Sequence, residues 1–587
     1  MIGTSGSGEF WHSPEKGENM SQLLDKKWAR WLLLLTGAVL TALAVSYPAQ
    51  IGFLEWVTLI PSALVILRLA TDETVKLRKM WGIGLLFFWC YYAVVFHWFL
   101  ALYPMDFTDL SKPAAAFVVC AGMFGLSLLQ ALFSAFSFVI LALAARSKPV
   151  KRMPFLAPFL SASVWVLAEW FQTVGWWGVP WGRLSIGQTA LLPLVQSVSL
   201  FGSYFVSFLV LSVNFLIAYA ILHYKEKAAI RLSAVVAAGL FVFNLAAGLI
   251  LLAVPKAEEK TVRVAAIQGN ISSLDKWSSG SLQKILEIYR EYSLAAAKDG
   301  AELIVWSETA IPQDLSESES LKTYIRGVAR DTNAILMVGA FDRTEDGQDE
   351  NAVYTIYPDG TISDEVYVKR HLVPFGEYVP LRKFVTAVFP PLADVGMLSD
   401  DLAAGTDSGV VNVRGIGKVG SIICFDSIYE TLTLDSVRDG AELMILPTND
   451  SWFQDSTALR MHNAQAVLRS VETGRYLVRA ANTGISSVIS PTGEIREQLG
   501  ALRGGYIVSD VATRDTMTLY TRIGNLFVYL VMIFVFGMIA YRGVDAFLTI
   551  CKKKMSATSV PVSPVTGKQT EKDKENPEER LDEHPGD

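Results

Sequence analysis

Eight apolar runs, each long enough to cross a bilayer, decide most of what this chain can fold into. A hydrocarbon core about 30 Å thick is spanned by about 20 apolar residues at helical rise. Runs near 28–46, 51–70, 81–103, 113–145, 154–174, 190–222, 232–254 and 523–541 reach that length. The fourth and sixth exceed it, so they tilt or continue beyond the membrane. Composition agrees: 51% of the 587 residues are hydrophobic and 11% aromatic, with a mean hydropathy of +0.34. That is too apolar and too long for one soluble domain. The fold class expected is therefore a multi-span α-helical membrane protein of about eight transmembrane helices, with an α/β domain carried between the last two.

Charge in the connections predicts the orientation. Lys and Arg cluster at Lys26, Lys27 and Arg30; at Lys76, Arg78 and Lys79; at Arg146, Lys148, Lys151 and Arg152; at Lys225, Lys227 and Arg231; and at Arg542, Lys552, Lys553 and Lys554. These are alternate connections, and those near 47–50, 104–112 and 175–189 carry almost no basic residues. The positive-inside rule then puts both termini in the cytoplasm and the domain after the seventh span outside. Treating the first run as a cleaved signal peptide would break this alternation, so it is read as retained. The expected organisation is a polar N-terminal segment over 1–27, a seven-helix region over 28–254, an outward domain over 261–513, a last helix over 523–541, and a tail over 556–587. The tail is rich in Pro, Lys, Glu and Asp and is expected to be disordered. Residues 1–19 are Gly- and Ser-rich, with Met20 a candidate start, and are left out of the fold. A net charge of −6 gives no reason to expect nucleic-acid binding.

From Thr261 the pattern changes to short buried strands alternating with helices. Apolar runs of strand length fall at 262–267, 303–306, 335–338, 421–423 and 443–446. Leu282, Ile285, Leu286, Tyr289 and Tyr292 trace one helical face. Asp-Gly-Ala-Glu-Leu occurs at 299–303 and again at 439–443, each time as a helix stop with Gly in the cap, followed by a strand. Pro358-Asp359-Gly360 and Pro491-Thr492-Gly493 read as hairpin turns.

Cys424 ends one of the apolar strand-like runs and is the only cysteine between Cys120 and Cys551. A lone thiol so placed is a candidate nucleophile. Cys90 and Cys120 lie in apolar runs, and Cys551 sits beside three lysines next to the membrane. Two further segments bear on Cys424. Trp306-Ser307-Glu308-Thr309 also follows an apolar run, and Val366-Tyr367-Val368-Lys369 leads into Pro374-Phe375-Gly376-Glu377-Tyr378-Val379-Pro380. Taken singly, Glu308 is an ordinary strand-end carboxylate, Lys369 a surface cation and Cys424 a core thiol.

Together, Glu, Lys and Cys in that order, each after a short strand, resemble the carbon–nitrogen hydrolase (nitrilase) superfamily. Gln268-Gly269-Asn270-Ile271 and Lys276-Trp277 add to the resemblance. With membrane spans on both sides, the chain is similar over roughly 28–541 to the superfamily's membrane-bound branch, the apolipoprotein N-acyltransferases. That resemblance implies an α-β-β-α sandwich in the bacterial inner membrane, facing the periplasm. It implies an acyl chain passed from a phospholipid, through a thioester on Cys424, to the α-amino group of the diacylglyceryl-cysteine of an apolipoprotein. Glu308 would be the general base, Lys369 the cation beside the oxyanion, and Glu377 the group that holds both in register. The family often has Tyr then Glu after the nucleophile, where this chain has Phe425 and Asp426. The implied partners are the phospholipid donor, the lipoprotein acceptor and the bilayer, with no metal and no organic cofactor. A membrane-tethered amidase acting on a small amide is the alternative enzyme. A ligand-binding transporter or receptor is the non-enzyme reading, against which the complete Glu–Lys–Cys set argues.

Other residues have two readings each. Trp277 is a substrate contact or an edge aromatic. The outer loop from Gly175 to Arg183, with Trp176, Trp177 and Trp181, is an acyl-chain portal or an interfacial belt. Phe384, Val385, Val388, Phe389, Pro390, Pro391 and Leu392 form a membrane-dipping lid or an ordinary packed segment. Glu169, near the end of the fifth span, is expected to face the bundle interior. Neither His97 nor His462 has a ligand-spaced neighbour in sequence, so no metal site is expected.

Overall fold

A computed structural model of the chain describes residues 20–105, 110–278, 280–388 and 400–558. Seven of its helices are long and apolar enough to cross a membrane: Lys27–Ser46, Pro48–Thr71, Lys112–Ala145, Pro154–Phe171, Ser203–Leu222, Lys227–Ala253 and Leu526–Lys554. The run at 81–103 forms a further helix, Leu77–Val95, which carries Arg78 and Lys79 in its first turn. It is followed by a 3₁₀ turn, His97–Leu102. The sixth run is not one helix. Leu192–Val195 and Val198–Phe201 precede Gly202, whose φ of +81° breaks the chain before Ser203–Leu222. The last helix runs on to Thr558, so the expected end at 541 is too early and residues 556–558 are helical. Residues 1–19, residues 389–392 of the apolar stretch, and the tail beyond 558 lie outside the described residues.

The α/β domain contributes thirteen strands among the described residues: β1 Thr261–Gln268, β2 Leu303–Val305, β3 Ile311–Asp314, β4 Ile335–Arg343, β5 Asp349–Ile356, β6 Tyr367–Val368, β7 Val410–Val413, β8 Gly417–Ser421, β9 Leu443–Thr448, β10 Leu477–Ala481, β11 Ser486–Ile489, β12 Ile495–Leu499 and β13 Gly505–Ala512. The first sheet has the order β13-β1-β2-β4-β5-β6, with β3 beside β4, and the second has β12-β11-β10-β9-β8-β7. Pairing is parallel from β1 through β2 to β4, and from β8 through β9 to β10. The strands at the sheet edges pair antiparallel.

The period of two explains the layering. Val262, Val264 and Ala266 of β1 pack inward against Val419, Leu443, Ile445 and Val478 of the opposite sheet. Ala265 and Ile267, between them, pack outward under the helices Ser281–Lys298 and Glu319–Thr332. Both faces are covered, so these strands read as continuous apolar runs rather than alternating ones. On the second sheet, Met444 and Leu446 face outward into the same core as the membrane helices, with helices Glu430–Arg438 and Thr457–Thr473 between. The result is the α-β-β-α sandwich, one face to solvent and one to the membrane region. Gly300 and Gly440 hold φ values of +88° and +101° at the two Asp-Gly-Ala-Glu-Leu helix stops, so each helix turns directly into β2 or β9.

Candidate active site

The charged groups come from the first sheet and the thiol from the second. Glu308 follows β2 on a tight turn whose Thr309 has a φ of +44°. The turn lies so close to β4 that a Cβ on Gly339 would sit 2.3 Å from the Ser307 carbonyl oxygen, which is why glycine stands there. Lys369 follows β6 and is fixed by backbone hydrogen bonds to Asn351 and Gly405. Its Nζ donates to Glu308 Oε1 at 2.9 Å and to Glu377 Oε1 at 2.7 Å. Asn351 Nδ2 on β5 donates to the same Glu308 oxygen at 2.8 Å and to Glu377 Oε1 at 3.3 Å. The Asn449 N–H donates to Glu308 Oε2 at 2.7 Å, and the Val373 N–H to Glu377 Oε2 at 2.8 Å. Every proposed charged side chain is thus brought to one point and held by donors that leave little rotational freedom.

Burial and pairing set the charges. Burial opposes the ionised form of Glu308, but Lys369 and its hydrogen bonds outweigh it and hold this carboxylate below its ordinary range. Burial raises Glu377 above its ordinary range, against the pull of Lys369. Lys369 stays well above the usual lysine range because Glu308 and Glu377 outweigh its desolvation. The cluster is therefore an ionised Glu308–Lys369 pair with a second carboxyl sharing the cation.

Cys424 stands just past β8, at the start of the short 3₁₀ helix Cys424–Ile428. Its φ of +47° is a left-handed conformation that a non-glycine residue adopts at a cost of about 1–3 kcal/mol. The residue is partly exposed, yet crowding around its sulfur raises the thiol far above its usual range. The Glu308 charge adds to this, and Lys369 and the Thr448 hydroxyl oppose it. Cys424 therefore rests as a thiol, near a Glu308 carboxylate that is already ionised.

Comparison with known proteins follows the same division of the chain. The Carbon-nitrogen hydrolase family model matches residues 263–519, and that of the Apolipoprotein N-acyltransferase N-terminal domain matches residues 37–216. An apolipoprotein N-acyltransferase of Geobacter metallireducens is 30% identical over 509 residues, 85% of this chain and 92% of that one. The chain belongs to the apolipoprotein N-acyltransferase family. Another of that name, from Gloeobacter violaceus, is 32% identical over 507 residues, covering 86% of this chain and 92% of the relative. Among solved structures, Saccharomyces cerevisiae Nit3 of the nitrilase superfamily aligns with 47% of this chain and 97% of its own, at 19% identity and a TM-score of 0.35.

The remaining predicted residues divide into those near the cluster and those turned away. Phe425 points out of the sandwich, packs on the membrane-region core and meets the Tyr429 ring at 5.6 Å. Asp426 is buried and accepts from Tyr367 Oη at 2.7 Å, from the Ile423 N–H at 2.9 Å and from the His371 N–H at 2.8 Å. It ties the turn bearing Cys424 to the segment carrying Lys369. Trp277 is 38% exposed and lies 6.1 Å from the Phe341 ring at the domain edge. Glu169 faces the bundle interior as expected, accepting from the Leu184 N–H at 3.0 Å.

Three features were not read from the sequence. Lys276 Nζ donates to the Glu308 carbonyl at 3.2 Å and to Thr309 Oγ1 at 2.5 Å. Its burial lowers its pKa to about 8, against the charges of Glu308 and Cys424. Asn351 is a buried amide on β5, directly after the partly exposed Asp349 and Glu350, and nothing local in the sequence marks it as buried. The expectation that His462 lacks ligand-spaced neighbours holds only along the chain. Folding brings donor atoms of His462, Asp450 and Cys424 within 4.8 Å of one another. Arg479 already occupies this group: its Nη2 lies 2.6 Å from Asp450 Oδ2 and 3.1 Å from His462 Nδ1. Asp450 is held well below its ordinary range, its burial outweighed by Arg479 and His462. The group reads as a neutralised support under the nucleophile.

Proposed function

We propose that this protein moves an acyl chain from a phospholipid to the α-amino group of the diacylglyceryl-cysteine of apolipoproteins, through a thioester on Cys424. The observation that carries this reading is the Glu308–Lys369–Glu377 cluster set against a strained Cys424, in a domain whose nucleophile-bearing sheet faces membrane helices. In the first half-reaction the sulfur attacks the ester carbonyl, the C–S bond forms and the ester C–O bond breaks. The thiol proton passes to Glu308 and on to the leaving lysophospholipid oxygen. In the second, the amine attacks the thioester, the C–N bond forms and the C–S bond breaks. The amine proton returns through Glu308 to the thiolate. Lys369 stands beside the oxyanion of both tetrahedral intermediates, where a fixed charge in a water-poor site contributes several kcal/mol more than in bulk water, on the order of a hundredfold or more in rate.

The proposed orientation keeps both termini and the basic connections in the cytoplasm, and the sandwich in the periplasm against the inner membrane. Ion pairs Lys151–Glu73 and Lys148–Asp545 draw the basic connections together at one end of the helices. The loop 178–183 meets the sandwich at the other end. Incubating the purified protein with radiolabelled phospholipid, with and without a diacylglyceryl lipopeptide, tests the function. Label should reach protein alone in the first case and lipopeptide in the second. Release of free fatty acid with no lipopeptide product would instead favour a hydrolase.

A further inference from the structure

The loop between the fifth and sixth spans is fastened to the nucleophile side of the sandwich. Tyr429 Oη donates to the Gly178 carbonyl at 3.0 Å, and Gln465 Nε2 to the Pro180 carbonyl at 3.1 Å. Trp181 is buried, with His462 and Phe453 rings at 5.6 and 5.8 Å. It is therefore no interfacial belt residue: it is turned into the contact between the two regions. Beyond it Arg183, wholly buried, donates through Nη2 to Glu430 Oε2 at 3.0 Å and through Nη1 to Ser203 Oγ at 2.8 Å. Tyr204 Oη donates to the other Glu430 oxygen at 2.9 Å, and the Ser203 N–H to Glu472 Oε1 at 3.2 Å. Arg469 Nε lies 2.7 Å from Glu472 Oε2, and its Nη1 donates to the Ser427 carbonyl at 3.3 Å. Ser427 sits on the same short 3₁₀ helix as Cys424.

This is one continuous polar path, from the first turn of a membrane helix to the turn bearing the nucleophile. It holds two guanidinium groups and two carboxyl groups, Arg183, Glu430, Arg469 and Glu472, all at most 1% exposed, and burial raises Glu472 above its ordinary range against the pull of Arg469. Burial would raise Glu430, but Arg183 and then Arg469 override it and keep the carboxyl ionised. A buried pair of this kind contributes little net stability over an apolar one of equal volume, but it admits only one geometry. Arginine's planar fork adds to that constraint.

We propose that Arg183 is a positioning residue for the lipid half-reaction: by locking Glu430 to the start of helix Ser203–Leu222, it sets where Cys424 stands relative to a donor lying along the membrane helices. This rests on the phospholipid donor of the proposed function. A small soluble donor does not use the membrane helices for alignment, so its reaction with Cys424 is independent of the lock.

The test is single-turnover acylation of Cys424 with two donors, phospholipid in vesicles and p-nitrophenyl acetate in solution. The variants are Arg183→Lys and the double variant Arg183→Met with Glu430→Gln, which removes both charges and so avoids an unpaired buried one. Small displacements of a reacting group are costly, so acylation from phospholipid should fall about tenfold or more in both variants, while acetylation stays within about twofold of wild type. Equal loss with both donors would overturn the proposal, as would an unchanged phospholipid rate in the double variant. A wild-type protein that accepts the acetyl group but never an acyl chain from phospholipid would overturn the functional reading itself, and the proposal with it.

Discussion

Helix Ser281–Lys298 covers the outside of the first sheet, and helix Thr457–Thr473 covers the outside of the second. The first shows the usual amphipathic arrangement, burying Ile285, Leu286 and Tyr289 while its charged residues face solvent. The second is buried over nearly its whole surface, although it carries His462, Asn463, Gln465, Arg469 and Glu472. A polar helix buried all round is stable only where its side chains find partners on both sides. Here one side is the sandwich and the other is the membrane region. The same sheet that lies under this helix supplies Cys424, while the solvent-covered sheet supplies Glu308 and Lys369. Cys424 is thus referenced to the membrane region, and Glu308 and Lys369 to the first sheet.

The largest effect should come from the membrane-covered side. Arg469→Met leaves Glu472 buried without its ion pair, at a cost of about 3–5 kcal/mol. Unfolding of the detergent-solubilised protein followed by tryptophan fluorescence should show a correspondingly lower midpoint, and Arg469→Met combined with Glu472→Met should recover most of it. If the single variant were as stable as wild type, the contrast between the two faces would be lost.

The next effect belongs to the first sheet and should appear in chemistry. Lys369→Ala removes the cation from both tetrahedral intermediates, and each half-reaction should slow about a hundredfold or more. Lys369→Arg should recover little, since a planar fork cannot replace a compact ammonium between Glu308 and Glu377. A defect confined to one half-reaction would show that Lys369 serves one substrate only.

A smaller, pH-dependent effect follows for Glu308→Gln. Glu308 is held below its ordinary range, so wild type keeps its base well into mild acid and loses rate only as pH falls through that lowered value. The thiol is raised first by burial and then by the Glu308 charge, so the neutral glutamine lets it fall. The variant's rate should therefore climb as pH rises from 7 to about 9.5, and the gap to wild type should narrow as thiolate forms without a base. A gap that stays constant across that range would assign Glu308 a purely electrostatic or structural role. The smallest effect is expected on the solvent-covered side. Arg290→Met breaks the exposed pair with Asp331 and should cost less than about 1 kcal/mol.

These contrasts also explain what could be read in the sequence. The strands of the sandwich were legible because both faces of each sheet are covered, which leaves continuous apolar runs such as 264–267 and 443–446. The helix stops were legible because only glycine tolerates the φ of Gly300 and Gly440 without strain. Glu308, Lys369 and Cys424 were legible because each follows a short apolar run within a recognisable motif. The Arg183–Glu430 pair was not, since its members are 247 residues apart and nothing local distinguishes a buried arginine from a loop cation. That Phe425 and Asp426 stand where the family often has Tyr and Glu was legible, but the hydrogen bonds of Asp426 to Tyr367 and His371 join residues 59 and 55 positions apart and were not. The division of the sixth apolar run at Gly202 was hidden by uniform hydropathy on both sides of the break.

The most direct test of the central claim is the intact mass of the purified protein after incubation with phospholipid and no acceptor. The account predicts an added acyl chain on Cys424 that hydroxylamine removes, that passes to an added lipopeptide amine, and that is absent in Cys424→Ala. An acyl adduct on another residue, or transfer to the lipopeptide that persists in Cys424→Ala, would contradict it.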